Sequence, residues 1–305
     1  MKAGRSDAVD LTRALALVAM AGYHSVWDLT DAGFLSPATP FTPPMRFASH
    51  AIATVFLALV GLSLALAHEG GPRWPAFFKR IGVVAVAAGL VTVATEFAEP
   101  QAPVGFGILH CIAVASLMSA ALLVLAPWVA IVVGIAAILA PSFLTSSFFD
   151  STWLIWTGLA TREPFTVDWR PLLPFGGIVW LSLGVARALP AWAYASRPYR
   201  WRAHARVLRG AAFLGRHSLA FYLLHQPILY GLIFAAASML GVAETREREA
   251  IEAQCRPACV EGGGRPDTCA RACACVAERA VRTKALGAEN AKDLAAACTA
   301  DETPR

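Results

Sequence analysis

Three groups of side chains in this chain have types and spacings that suit chemistry. They are imidazoles set in apolar runs, a basic pair at the mouth of one run, and cysteines clustered near the end. His24 closes "LTRALALVAMAGYH", His50 and His110 open two later apolar runs, and His217 and His225 share "RHSLAFYLLHQP". An ionisable group in an apolar span is costly, so it marks a cavity or a bundle interior by default. An imidazole, with an ordinary pKa of about 6.5, can take a proton from an attacking hydroxyl or amine, or carry an acyl group itself. Plainer readings stand beside these. His50 and His68 sit at helix ends where imidazoles stay wet, His204 lies in a basic loop, and His110 equally suits a core histidine bonded to a carbonyl. Lys79 and Arg80 form a basic fork that suits a phosphate, and a snorkelling anchor is equally expected there. Asp10 and Arg13, spaced i and i+3, can pair on one helical face. Glu96 ends the third run, where a carboxylate can raise the basicity of nearby imidazoles.

The elements that position these groups follow from composition. Of 305 residues, 57% are hydrophobic and 15% charged, with a mean hydropathy of +0.54, and a soluble domain carries about 25% charged residues. Apolar windows at roughly 9–27, 47–67, 81–98, 108–125, 128–144, 172–189 and 214–240 are long enough for helical spans. The expected fold is all-α: a polytopic transmembrane helical bundle of about seven spans in residues 1–242, followed by a small disulfide-rich helical appendage in 243–305. The first span has no small-residue cleavage site after a short apolar core and reads as an uncleaved signal anchor. The net charge of +5 lies in loops, which argues against a nucleic-acid partner. Lys2, Arg5, Arg73, Lys79 and Arg80 mark one side, with Arg187, Arg197, Arg200, Arg202, Arg206, Arg209 and Arg216 crowding the last connection. By the positive-inside rule the N-terminus is cytoplasmic and the tail extracytoplasmic. With about 1.5 Å of rise per residue, His24 then lies roughly 22 Å along the first helix, near the outer leaflet.

From about Ala243 the composition changes to alternating Glu and Arg, a glycine-rich turn, and six of the seven cysteines. The spacing Cys255-x3-Cys259-x9-Cys269-x3-Cys273 puts each pair on one helical face. Two antiparallel helices could then be stapled by Cys255–Cys273 and Cys259–Cys269, leaving Cys275 and Cys298 as a third pair, although six cysteines permit fifteen pairings. An extracytoplasmic tail fits an oxidising compartment. A zinc site is the rival, but the tail has neither histidine nor a C-x2-C knuckle, so no metal is expected. Cys111, inside an apolar helix, reads as a small buried residue.

The stretch "VDLTRALALVAMAGYHSVWDL" resembles the opening helix of bacterial membrane proteins similar to heparan-α-glucosaminide N-acetyltransferase. Further stretches resemble that family in order: "FLALVGLSLALA", "FFKRIGVVAV", "FGILHCIAVASL", "DWRPLLPFGGIVWLSLGVAR" and "LGRHSLAFYLLHQPILYG". The likeness covers about residues 8–240. The first and last stretches also resemble the wider group of membrane sugar O-acetyltransferases. The resemblance implies transfer of an acyl group, typically acetyl from cytoplasmic acetyl-CoA, to an amine or hydroxyl of a sugar or glycan on the opposite face of a bacterial inner membrane. Carried onto this chain, it implies His24, His110 and His225 as catalytic, and Lys79, Arg80, Arg13 and His217 as contacts of the coenzyme or its entrance. The chain departs from the pattern in three ways. "RALA" replaces Arg-Gly-Leu-Ala, the animal enzymes carry an amide where His24 falls, and the cysteine-rich tail is extra.

Two other readings compete. In a proton-coupled transporter or flippase, His24, Glu96, His110 and His225 would form a path. Against it, the halves show no internal repeat and no matching pair of broken helices. An anchor or receptor for the tail would leave the intramembrane histidines without purpose. The bilayer is a partner on every reading, and a homo-oligomer is compatible with all of them.

Overall fold

The computed structural model describes residues 6–190, 193, 201–283 and 298. Among these every regular element is helical, and no strand occurs. In chain order they are α1 (Asp7–Asp31), α2 (Pro43–Ala67), α3 (Trp74–Ala98), α4 (Ile108–Val124), α5 (Pro127–Leu139) and α6 (Pro141–Leu144). Then come α7 (Leu172–Ala188), α8 (Arg206–Arg216), α9 (Ser218–Met239), α10 (Val242–Glu261) and α11 (Pro266–Thr283). By length and apolarity α2, α3 and α9 can each cross a membrane, while α4, α5 and α7 are apolar but shorter. The chain divides into two compact units, residues 1–23 with 43–227, and residues 24–42 with 228–305.

The first unit is built on α2, α4, α5 and α7. Leu57 and Leu64 of α2 pack with Cys111 and Ala115 of α4, Ala130 and Ala137 of α5, and Val179 and Leu183 of α7, all of them buried. Small residues let the backbones approach, as lipid-embedded helices require. A Cβ at Gly134 would lie 2.4 Å from the Leu181 amide nitrogen, and one at Gly184 would lie 2.7 Å from that of Ile131. The buried Trp180 indole donates to the Ala115 carbonyl at 3.0 Å, which ties α7 to α4.

The start of α1 is fixed by ions. Asp10 accepts from Arg13 at 2.8 Å and Arg216 at 3.2 Å, while Asp7 accepts from Arg216 at 2.8 Å and the Ala203 amide at 3.0 Å. The predicted Asp10–Arg13 pair is therefore one edge of a larger network.

Three boundaries differ from the hydropathy reading. The helix expected from 81 begins at Trp74, because Pro75 sits in the first turn, where its missing N–H costs nothing. The run expected over 128–144 breaks after Leu139 into the four-residue α6, which opens on Pro141. The last run divides at His217 into α8 and α9. Arg197 and Arg200 of the basic connection lie outside the described residues.

In the second unit α10 and α11 form an antiparallel hairpin. Cys255–Cys273 and Cys259–Cys269 bridge it, with Cα atoms 5.7 Å apart in each pair, and Cys275–Cys298 closes the third bridge at 5.9 Å. The first two are the pairs that helical spacing suggested, and the third joins the two cysteines they leave. The base of α10 also holds the loop after α1. Arg246 donates to the Leu35 carbonyl at 2.7 Å, and Gly33, at φ +90°, lies against Val242. A side chain at Gly33 would be strained as well as crowded.

Candidate active site

A cavity of about 490 Å³ opens in the first unit. Its walls are apolar, from Leu17, Phe56, Val60, Val84 and Leu109 among others, and its polar groups are few: Arg13, Lys79, Arg80, Ser218 and Tyr222. Concave apolar walls with a few convergent polar groups are what ligand sites need. A side chamber of about 150 Å³ shares Arg80 and Ile112 with it and adds His68, Arg73 and Phe77.

The cations gather at one end. Arg13 is satisfied by Asp10 and by the hydroxyl of Ser63. Arg80 differs, because it makes no hydrogen bond or ion pair among the described residues, and the charge it feels is the like charge of Arg13. Lys79 beside it has no such partner either. Two uncompensated cations on an apolar wall make a site for an anion. Arg80 and Thr92 are twelve residues apart on α3, so roughly 18 Å separates the cationic end from the level of Thr92.

Away from the cavity lining, polar contacts join the end of α3 to the start of α4. The Gly107 amide donates to His110 Nδ1 at 3.2 Å, so that nitrogen must be an acceptor. In the neutral ring the proton then sits on Nε2, 3.2 Å from Thr92 Oγ1, whose own hydroxyl donates to the Val104 carbonyl. His110 therefore offers no lone pair and ties the ends of α3 and α4 together.

His225 is buried, and its Nδ1 donates to the Tyr222 carbonyl at 2.8 Å, which makes Nε2 the basic nitrogen. It stands one turn beyond Tyr222, which lines the cavity. His217 caps α8, bonds the Phe213 carbonyl at 2.9 Å and precedes Ser218 of the cavity wall. His24 is half-buried on α1 and belongs to the second unit. His50 bonds the Arg46 carbonyl and stacks on Phe175, the ring that also carries the Arg170 guanidinium.

Sequence reasoning missed Asp168, Arg170 and Tyr222. Asp168 Oδ2 accepts from the Ile108 amide at 2.8 Å, at the start of α4. Gly107 makes room for it, since a Cβ there would lie 2.4 Å from Oδ2. The Asp168 charge is felt by His110, Cys111 and Tyr222. The pattern "DWRPLLPF" was the available signal, a carboxylate and a guanidinium two residues apart immediately before an apolar helix.

With this geometry in view, family comparison becomes informative. The family described as heparan-alpha-glucosaminide N-acetyltransferase, catalytic, matches residues 5–227. The chain belongs to this family. It is thus an integral membrane acyltransferase, and the match takes in every cavity-lining residue while ending before the cysteine-rich hairpin. Comparison with curated proteins and with solved structures gives no match.

Proposed function

We propose that this family member transfers an acetyl group from acetyl-CoA in the cytoplasm to the amine or hydroxyl of a sugar or glycan on the opposite face of a bacterial inner membrane. The observation that carries this reading is the uncompensated pair Lys79 and Arg80 at one end of the cavity. Their charge suits the coenzyme's phosphates, and the apolar walls suit its uncharged arm. Arg13, held by Asp10, shapes the entrance, and His217 stands at its rim. The thioester then reaches toward Tyr222, where the acceptor arrives. His225 brings an imidazole to the acceptor's route, and His110 fixes its wall; His24 is proposed as catalytic on the family resemblance of its stretch alone. In this reading seven helices cross, the N-terminus is cytoplasmic, and the hairpin is periplasmic, in keeping with the charge bias of the loops.

The test is turnover of acetyl-CoA by detergent-purified protein, followed as free CoA and as N-acetylated D-glucosamine. Arg80→Gln removes a charged donor worth about 1.5–3 kcal/mol, so the KM for acetyl-CoA should rise roughly 10- to 100-fold. A wild-type protein that neither binds nor consumes acetyl-CoA would end this reading.

A further inference from the structure

The acceptor's proton needs a destination, and the geometry points to Asp168 as the catalytic base that receives it. This inference rests on the acyltransferase reading above. Ile108, whose amide holds Asp168 Oδ2 at 2.8 Å, is itself part of the cavity wall, and the Asp168 charge reaches Tyr222 of the same wall. Oδ1 makes no hydrogen bond or ion pair among the described residues, and the side chain is half-buried. Arg170 does not neutralise it, because that guanidinium is spent on the Trp169 carbonyl, the Ser49 hydroxyl and the face of Phe175. His110, two residues along α4 from Ile108, has its Nδ1 lone pair engaged by Gly107. One carboxylate oxygen is thus fixed by the backbone, and the other makes no hydrogen bond among the described residues, next to the wall residue Ile108.

The step balances without a further reactant. The amine nitrogen of the acceptor attacks the thioester carbon, and the Tyr222 hydroxyl donates to the developing oxyanion. The nitrogen's proton passes to Asp168 Oδ1. The carbon–sulfur bond then breaks with its electron pair on sulfur, and the proton leaves Asp168 to yield free CoA thiol and the amide.

Asp168→Asn keeps an oxygen for the Ile108 amide and removes the basic site. With D-glucosamine as acceptor, kcat should fall about 100-fold or more, with the KM for acetyl-CoA within about threefold of wild type. With hydroxylamine, whose conjugate acid is the stronger acid, the adduct nitrogen sheds its proton to water more readily, and the variant should keep most of the wild-type rate. Formate should restore part of the glucosamine rate to Asp168→Ala. Equal losses with both nucleophiles and no rescue would make Asp168 structural and overturn the inference. An unchanged glucosamine rate would overturn it too. Absence of wild-type turnover with either nucleophile, together with absence of CoA binding, would instead overturn the acyltransferase reading and this inference with it.

Discussion

Asp7 shows how a single carboxylate can set a condition on the fold. It stands ahead of the apolar run of α1, where the Ala203 amide and then the charges of Arg202 and Arg216 hold its carboxyl below the ordinary 3.8, against an opposing cost of burial. The unfolded chain therefore takes up this proton before the folded one does as pH falls. The stability it contributes is complete above about pH 4 and is lost as the pH passes down through the folded value. Thermal unfolding of wild type and Asp7→Asn should accordingly differ at pH 6 and converge as the solution is acidified below 4. A gap that persists unchanged in acid would mean that Asp7 acts through packing. Part of this network was legible, because Asp10 and Arg13 share a helical face. The link from Asp10 to Arg216 spans 206 residues, and no local rule supplies such a partner. The same applies to Asp168, a loop carboxylate by composition that meets the Ile108 amide only when Gly107 and the start of α4 fold against it. Lys79 and Arg80 were legible as a basic pair near a helix start, but that no counter-charge meets them among the described residues is a property of the folded cavity.

The helices depend on where side chains are absent. Gly134 and Gly89 both lie in apolar helices, and composition alone does not separate them. In the structure a Cβ on Gly134 would meet the Leu181 backbone at 2.4 Å, whereas one on Gly89 meets nothing within 4 Å. Gly134→Ala should part α5 from α7 and cost about 1–3 kcal/mol, as overpacking does, while Gly89→Ala should be neutral or slightly stabilising through helix propensity. Unfolding of the two variants in mixed micelles measures the difference, and equal stabilities would deny the close approach. Hydropathy located most elements because apolar runs of this length have few alternatives in lipid. It missed the division of the last run at His217, because a window average does not register a turn between two helices. The missed signal was periodicity: Arg206, Arg209 and Arg216 alternate with the apolar Val207, Leu208, Ala212 and Phe213 within α8.

Loop charge and thiol chemistry are independent readings of compartment for the whole chain, and the proposed topology makes both testable. On the proposed topology the basic connections are cytoplasmic and the tail lies outside; the tail's six cysteines are paired, while Cys111 within α4 is free and buried. The pairing was legible because residues i and i+4 share a helical face, so two antiparallel helices match their outer and inner cysteines in order. Each bridge closes a loop of 10 to 23 residues in sequence, a range in which a disulfide contributes about 2–4 kcal/mol. A hairpin with so small an apolar interior depends on such staples. In intact cells, therefore, a membrane-impermeant maleimide should label no tail cysteine before reduction and all six after it, with Cys111 unreactive until the protein is unfolded. Reduction should also open α10 and α11 to added protease. Labelling without prior reduction would contradict the bridges. Labelling confined to inverted vesicles would put the hairpin in the cytoplasm, and the acceptor side of the proposed transfer would have to be reassigned with it.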